Sequence, residues 1–139
     1  HLVGLALVGA LVMAAWDLVV DPILSGPTFG AWVWEGGGPY FGVPVQNYLG
    51  WTATTFTVYL LYRSVERRWT PQPVGPLSLG PSGMPVLAYT VMMLANLLSG
   101  GAPAAIAVIA PVAMGLPVVA ASVRLVSRMD VNILARKNS

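Results

Sequence analysis

Four stretches of apolar residues, set apart by segments rich in glycine, proline or charge, dominate the chain. A helix needs about 20 predominantly apolar residues to cross the hydrocarbon core of a bilayer. The run from Leu2 to Val20, which ends around Asp17 and Asp21, predicts a first span. Tyr48 to Tyr62, somewhat short and closed by Arg63, Arg67 and Arg68, predicts a second. A third runs from about Met84 to Leu98, with Pro85 in the first turn, where its missing donor costs little. The fourth runs from about Ala102 to Val123. Pro111 and Pro117 inside it each remove a backbone hydrogen bond and predict kinks, which membrane helices tolerate where neighbours satisfy the freed carbonyls. Ser99-Gly100-Gly101 is a tight turn that makes the last two spans an antiparallel hairpin. Trp69 to Gly83, rich in proline, glycine and serine, reads as a loop. The expected architecture is an all-α, polytopic transmembrane bundle of about four spans, one domain over residues 1–139. A non-cytoplasmic or re-entrant loop rich in glycine and tryptophan occupies 22–46, and a cytoplasmic loop 63–83.

Composition strengthens this picture. The 139 residues are 56% hydrophobic and 9% charged, with mean hydropathy +0.72, whereas soluble domains carry about 25% charged residues. So few charges cannot cover a water-facing surface. The net charge of +2 is too small to suggest a nucleic-acid partner. There is no cysteine and one histidine, His1, so disulfides, thiolate sites, multi-histidine metal sites and a Ser-His-Asp triad are not expected. Leu2 to Val20 lacks the basic start and the cleavage site of a signal peptide. The chain does not begin with methionine, and the expectation is a piece of a longer protein. All seven Lys and Arg follow the second span (Arg63, Arg67, Arg68) or the fourth (Arg124, Arg128, Arg136, Lys137). With four spans these fall on one side. The positive-inside rule makes that side cytoplasmic and places both termini there.

Residues 16–51 concentrate the chemistry: three acids, four tryptophans and two tyrosines among glycines and prolines. Asp17 and Asp21 are four apart and share a helix face. Ala6, Ala10 and Ala14 continue it, and small residues at that spacing let a neighbouring helix pack closely. The acids are therefore expected to point into the bundle, where an ionisable side chain is a functional hypothesis by default. Withdrawal from water and a like-charged neighbour both favour a protonated carboxyl, which would supply a general acid. The plainer alternative is that Asp21, followed by Pro22, merely ends the helix at the membrane surface. Trp32 and Trp34 are either interfacial belt residues or a wall of ring faces around an apolar ligand or developing cation. Glu35 is either a solvated loop acid or a site residue. The glycine run 36–38 lacks the lysine and following Ser/Thr of a phosphate loop. Asn47 fits an ordinary helix cap, and Asn96 an interhelical hydrogen bond.

The ordered set Trp16-Asp17, Asp21-Pro22, Trp32-x-Trp34, Gly38-x-Tyr40-x-Gly42-Val43-Pro44, Asn47, Gly50-Trp51 resembles the membrane-bound carotenoid biosynthesis family, which includes carotenoid 1,2-hydratases and bisanhydrobacterioruberin hydratases. The resemblance is detailed over about residues 14–52; elsewhere it is one of hydrophobic helices, and the chain resembles the carboxy-terminal part of longer members. It implies a hydro-lyase that adds water across the terminal double bond of an acyclic carotenoid, with no metal and no redox cofactor. On that chemistry Asp17 is the acid, and Asp21 or Glu35 directs water. Trp32, Trp34 and Tyr40 line the cation site, Asn47 holds water or an acid, and Trp16 and Trp51 join the substrate-binding wall. The partners implied are a carotenoid or other polyene lipid, membrane lipids and other membrane subunits. The competing reading is a non-catalytic carotenoid-binding or scaffolding subunit of a membrane pigment complex. A transporter or channel fits less well, because the later spans hold no charge and no repeat is visible.

Overall fold

The computed structural model describes residues 1–69 and 79–137, with side chains placed over 1–69 and 82–127. Five helices follow in order: α1 (Leu2–Leu24), α2 (Val45–Trp69), α3 (Leu79–Leu98), α4 (Ile106–Ala113) and α5 (Gly115–Lys137). No strand occurs among the described residues. The fold is the all-α bundle expected.

Helix α1 is the hub, and its two faces carry different residues. One face presents Val19 and Ile23 to Ile106, Ala110 and Met114, with Trp16, Tyr89, Met93 and Leu97 packed around them. This is the main apolar core. The other face carries Asp17 and Asp21 towards the start of α2. Ala6 and Ala10 are fully buried, as the small-residue stripe predicts. At Gly9 an added Cβ would meet the Tyr59 ring at 2.7 Å, so α1 and α2 approach too closely there for a side chain.

The pairings give the helix directions. Residue 9 meets 59 while 17 and 21 meet 47, so α1 and α2 are antiparallel. The Tyr89 hydroxyl donates to the Val12 carbonyl at 2.6 Å, and residue 101, just past α3, meets 28 and 29, just past α1, so α3 runs parallel to α1. Gly115 faces Met93 and Gly83 faces Leu125, which makes α5 antiparallel to α3. The connection 25–44 and the turn at 99–105 therefore share one end of the bundle. There, an added Cβ on Gly101 would touch Thr28 and Phe29. Arg63, Arg67, Arg68 and Arg124 lie towards the opposite end, as the up-down order requires.

The surface is what a lipid solvent demands. Large apolar side chains such as Leu11, Leu49, Leu61, Leu87, Val108, Leu116, Val119 and Val123 are exposed along every helix, as suits helices that face lipid. Two segments are long and apolar enough to cross a membrane, Leu2–Leu24 and Ile106–Ser127, and Ser82–Leu98 is a shorter apolar helix. At 1.5 Å per residue, α1 alone reaches about 35 Å. Helix α2 has the length but is the more polar one, with no residue fully buried.

Several boundaries differ from the expected ones, each for a physical reason. Helix α2 starts at Val45 and continues to Trp69, because Arg and Glu are good helix formers that carry it on past the apolar stretch; Arg63 and Glu66 pair there at 2.7 Å. Helix α3 begins at Leu79, so Pro85 sits inside it and not in its first turn, and the expected 63–83 loop is helical at both ends. The remainder of that loop, 70–78, lies outside the described residues. The fourth span is interrupted and not merely kinked. Pro111 and Pro117 remove the donors that would satisfy Ala107 and Ala113, and the helix breaks between them at Met114. Asn96 does not bridge helices; its amide donates to Met92 of its own helix at 2.9 Å.

The end-to-end segregation of connections predicts a labelling result. Single cysteines at Gly36, in open space, and at Ser64, which is exposed, should react with an impermeant thiol reagent from opposite sides of the membrane. Reaction of both from the same side would contradict the expected four-span arrangement.

Candidate functional site

The site is built where the end of α1 meets the beginning of α2, and the 25–44 connection decides how they meet. Pro22 lies inside α1 and has no N–H, so the Leu18 carbonyl loses its intrahelical donor. The Tyr40 hydroxyl supplies a replacement, donating to that carbonyl at 2.8 Å. A defect in one helix thus becomes the anchor for a hairpin 22 residues away. Burial pushes the Tyr40 phenol above its ordinary value, which keeps it a donor.

The hairpin is shaped to deliver Tyr40. The Val43 N–H donates to the Tyr40 carbonyl at 2.8 Å, with Phe41 at φ 50° and Gly42 at φ 84° between them. Both central residues at positive φ define a turn of the primed type, which glycine adopts freely and Phe41 adopts at a cost of roughly 1–2 kcal/mol. Gly38 lies against the Val43–Pro44 backbone so closely that no Cβ fits. The Tyr40 ring is braced edge-on by Phe41 at 4.8 Å and by Tyr48 at 5.5 Å. At the other end of the connection, the Ser25 hydroxyl and N–H both donate to the Asp21 carbonyl, at 2.7 and 2.9 Å.

Held this way, the first turn of α2 brings Asn47 against the two acids. Its side-chain nitrogen donates to Asp17 Oδ2 at 2.9 Å and to Asp21 Oδ2 at 2.5 Å. Both aspartates are buried, at 4% and 3% exposure. Asp21 therefore does more than end a helix at the membrane surface. Asn47 is the third residue of α2, past the capping position, and both of its amide hydrogens are spent on the carboxyls. A buried carboxyl without a donor costs several kcal/mol, so Asn47 is what allows this pair to exist.

Next to the pair lies a cavity of about 400 Å³, within the usual range for ligand sites. Of the nine residues singled out in the sequence, Trp16, Asp17, Asp21, Trp32, Trp34, Asn47 and Trp51 line it. Two do not. Tyr40 is occupied in bracing the hairpin, so its ring does not serve as cavity wall. Glu35 is exposed in a turn outside the lining. Val20, Leu24 and Val33 complete the wall. Val20 and Leu24 were legible as the continuation of the Trp16–Asp17–Asp21 face; Val33 was not, because residues 32–34 run along the cavity in an irregular segment and all three touch it. The Trp34 Nε1 and Tyr48 hydroxyl are buried without a protein partner. Among the described residues no group of three or more acidic, His or Cys side chains is placed to hold a metal ion.

The Pro22–Leu18–Tyr40 linkage predicts a coupling. Tyr40→Phe should destabilise the folded protein in detergent by about 1–3 kcal/mol, because it leaves a buried carbonyl unpaired. In a Pro22→Ala background, where the backbone donor returns, the same change should cost about 1 kcal/mol less. Additive losses in denaturation experiments would refute the linkage.

A family model described as carotenoid biosynthesis protein matches residues 1–122, which include every helix that lines the cavity and the hairpin between them. No curated protein and no solved structure matches the chain. On that match, the chain belongs to the carotenoid biosynthesis protein family.

Proposed function

We propose that this carotenoid biosynthesis protein is an integral-membrane hydratase that adds water across the terminal 1,2-double bond of an acyclic carotenoid. One observation carries the reading: two buried carboxyls, clamped by a single amide, on the wall of an apolar cavity lined with four tryptophans. Alkene hydration needs an acid, a place for a tertiary cation, and a base for the attacking water. Asp17, a turn deeper than Asp21, gives its proton to the alkene carbon C-2. The cation at C-1 lies against the ring faces of Trp16, Trp32, Trp34 and Trp51, each worth roughly 0.5–2 kcal/mol to a positive charge. Water adds at C-1 and passes a proton to Asp21, which leaves a tertiary alcohol. With Glu35 in solvent, the water-directing role falls to Asp21. The polyene reaches the cavity from the bilayer, and the end of the bundle rich in arginine faces the cytoplasm.

The test is to supply an acyclic carotenoid to membranes carrying the protein and to quantify the hydroxylated product. Asp17→Asn keeps an acceptor for Asn47 and should leave the protein folded while cutting turnover at least about a hundredfold, the usual worth of a general acid. Full turnover by Asp17→Asn would remove Asp17 from the acid role. No product from the unmodified protein, together with its co-purification in a pigment complex, would favour a carotenoid-binding subunit instead.

A further inference from the structure

We propose that the same cavity also isomerises the chain end it protonates, moving the terminal double bond from the internal 1,2 position to a methylidene at the chain terminus. This rests on the proposed site for an acyclic polyene end. It follows from how unevenly that site serves the two fates of a tertiary cation, capture by water or loss of a proton to a base.

The base is fixed. Asn47 donates to Asp17 Oδ2 at 2.9 Å and to Asp21 Oδ2 at 2.5 Å from one nitrogen, so the two oxygens lie within reach of a single group between them. A cation formed against one carboxyl is thus within reach of the other. Beyond the carboxyls, a water meets a mostly apolar wall. The Asn47 amide hydrogens are taken by the carboxyls, Trp34 Nε1 is sealed from solvent, and Val20, Leu24 and Trp16 make most of the remaining wall apolar. A carboxyl fixed beside a mostly apolar wall opens proton loss as a competing exit.

The step balances without a further reagent. Asp17 forms the new C–H bond at C-2 as the alkene pair is consumed. A C–H bond of a methyl on C-1 then breaks; its proton goes to Asp21 and its electron pair becomes the methylidene double bond. The pair of carboxyls ends with the single proton it began with, on the partner carboxyl, and exchange with solvent returns it. Loss of the C-2 proton instead regenerates the original alkene.

The experiment uses the full chain in lipid vesicles, an acyclic carotenoid and D₂O, with deuterium content and double-bond position read by mass spectrometry and NMR. The expected result is deuterium in the recovered alkene and in a methylidene isomer alongside the alcohol, with Asp21→Asn lowering the isomer at least about tenfold. Alcohol accompanied by unlabelled alkene and no isomer overturns the isomerisation and leaves the hydratase standing. Label and isomer without alcohol support it and remove hydration. Neither product nor label removes both. An isomer yield unchanged in Asp21→Asn overturns Asp21 as the base. The label distribution of the unmodified protein decides the matter even if that variant fails to accumulate.

Discussion

Two carboxyls cannot sit side by side out of water unless something donates to them, and the rest of this structure is arranged around that requirement. Asp17 and Asp21 are nearly inaccessible, and the donor is one amide at the start of a different helix. The bond distances leave little freedom in where α2 can begin. Helix α2 rests on α1 with no fully buried residue of its own, so polar contacts at its first turn and the close approach at Gly9 position it more than a core does. Charged groups in a low-dielectric setting usually weaken a fold. Here they also set the register between the two helices that enclose the cavity.

The hairpin between those helices solves a second problem by the same means. Pro22 leaves a carbonyl without its helical donor, and such a group needs another partner in an apolar environment. Tyr40 provides it, but only because Gly38 and Gly42 permit a tight turn and Val43 is buried beneath it. Much of the pattern Gly38-x-Tyr40-x-Gly42-Val43-Pro44 is therefore turn architecture whose product is the placement of Asn47. The cavity residues and the hairpin residues are different members of one motif: the first line the cavity, and the second fix its walls.

Periodicity made part of this readable from sequence. Asp17 and Asp21 at i and i+4, on the face continued by Ala6 and Ala10, pointed inward and are buried as expected. The tryptophans were legible as a group because four lie within residues 16–51. Relations across long separations were not legible. Nothing in the local sequence says that the Asn47 amide reaches back 26 and 30 residues; a helix cap fits the same position, and holding an acid follows only from the chemistry that the resemblance implies. In sequence Tyr40 looks like a ring for the ligand, because the orphaned carbonyl that claims its hydroxyl is created by a proline elsewhere. Glu35 lies outside the cavity lining, and its position was not legible because an irregular segment has no period from which to infer direction. Helix ends were misjudged where helical propensity outlasts hydrophobicity, at Arg63–Trp69, and where two prolines act together, around Met114.

The central claim is that the carboxyl pair faces the end of a polyene. An experimental structure of the protein in lipid with an acyclic carotenoid bound tests it most directly. The account predicts the chain end in the cavity between Trp16, Trp34 and Trp51, its terminal double bond against the Asp17 carboxyl, and Asn47 still bonded to both acids. A polyene bound elsewhere on the bundle, with the two carboxyls open to bulk water, would contradict it.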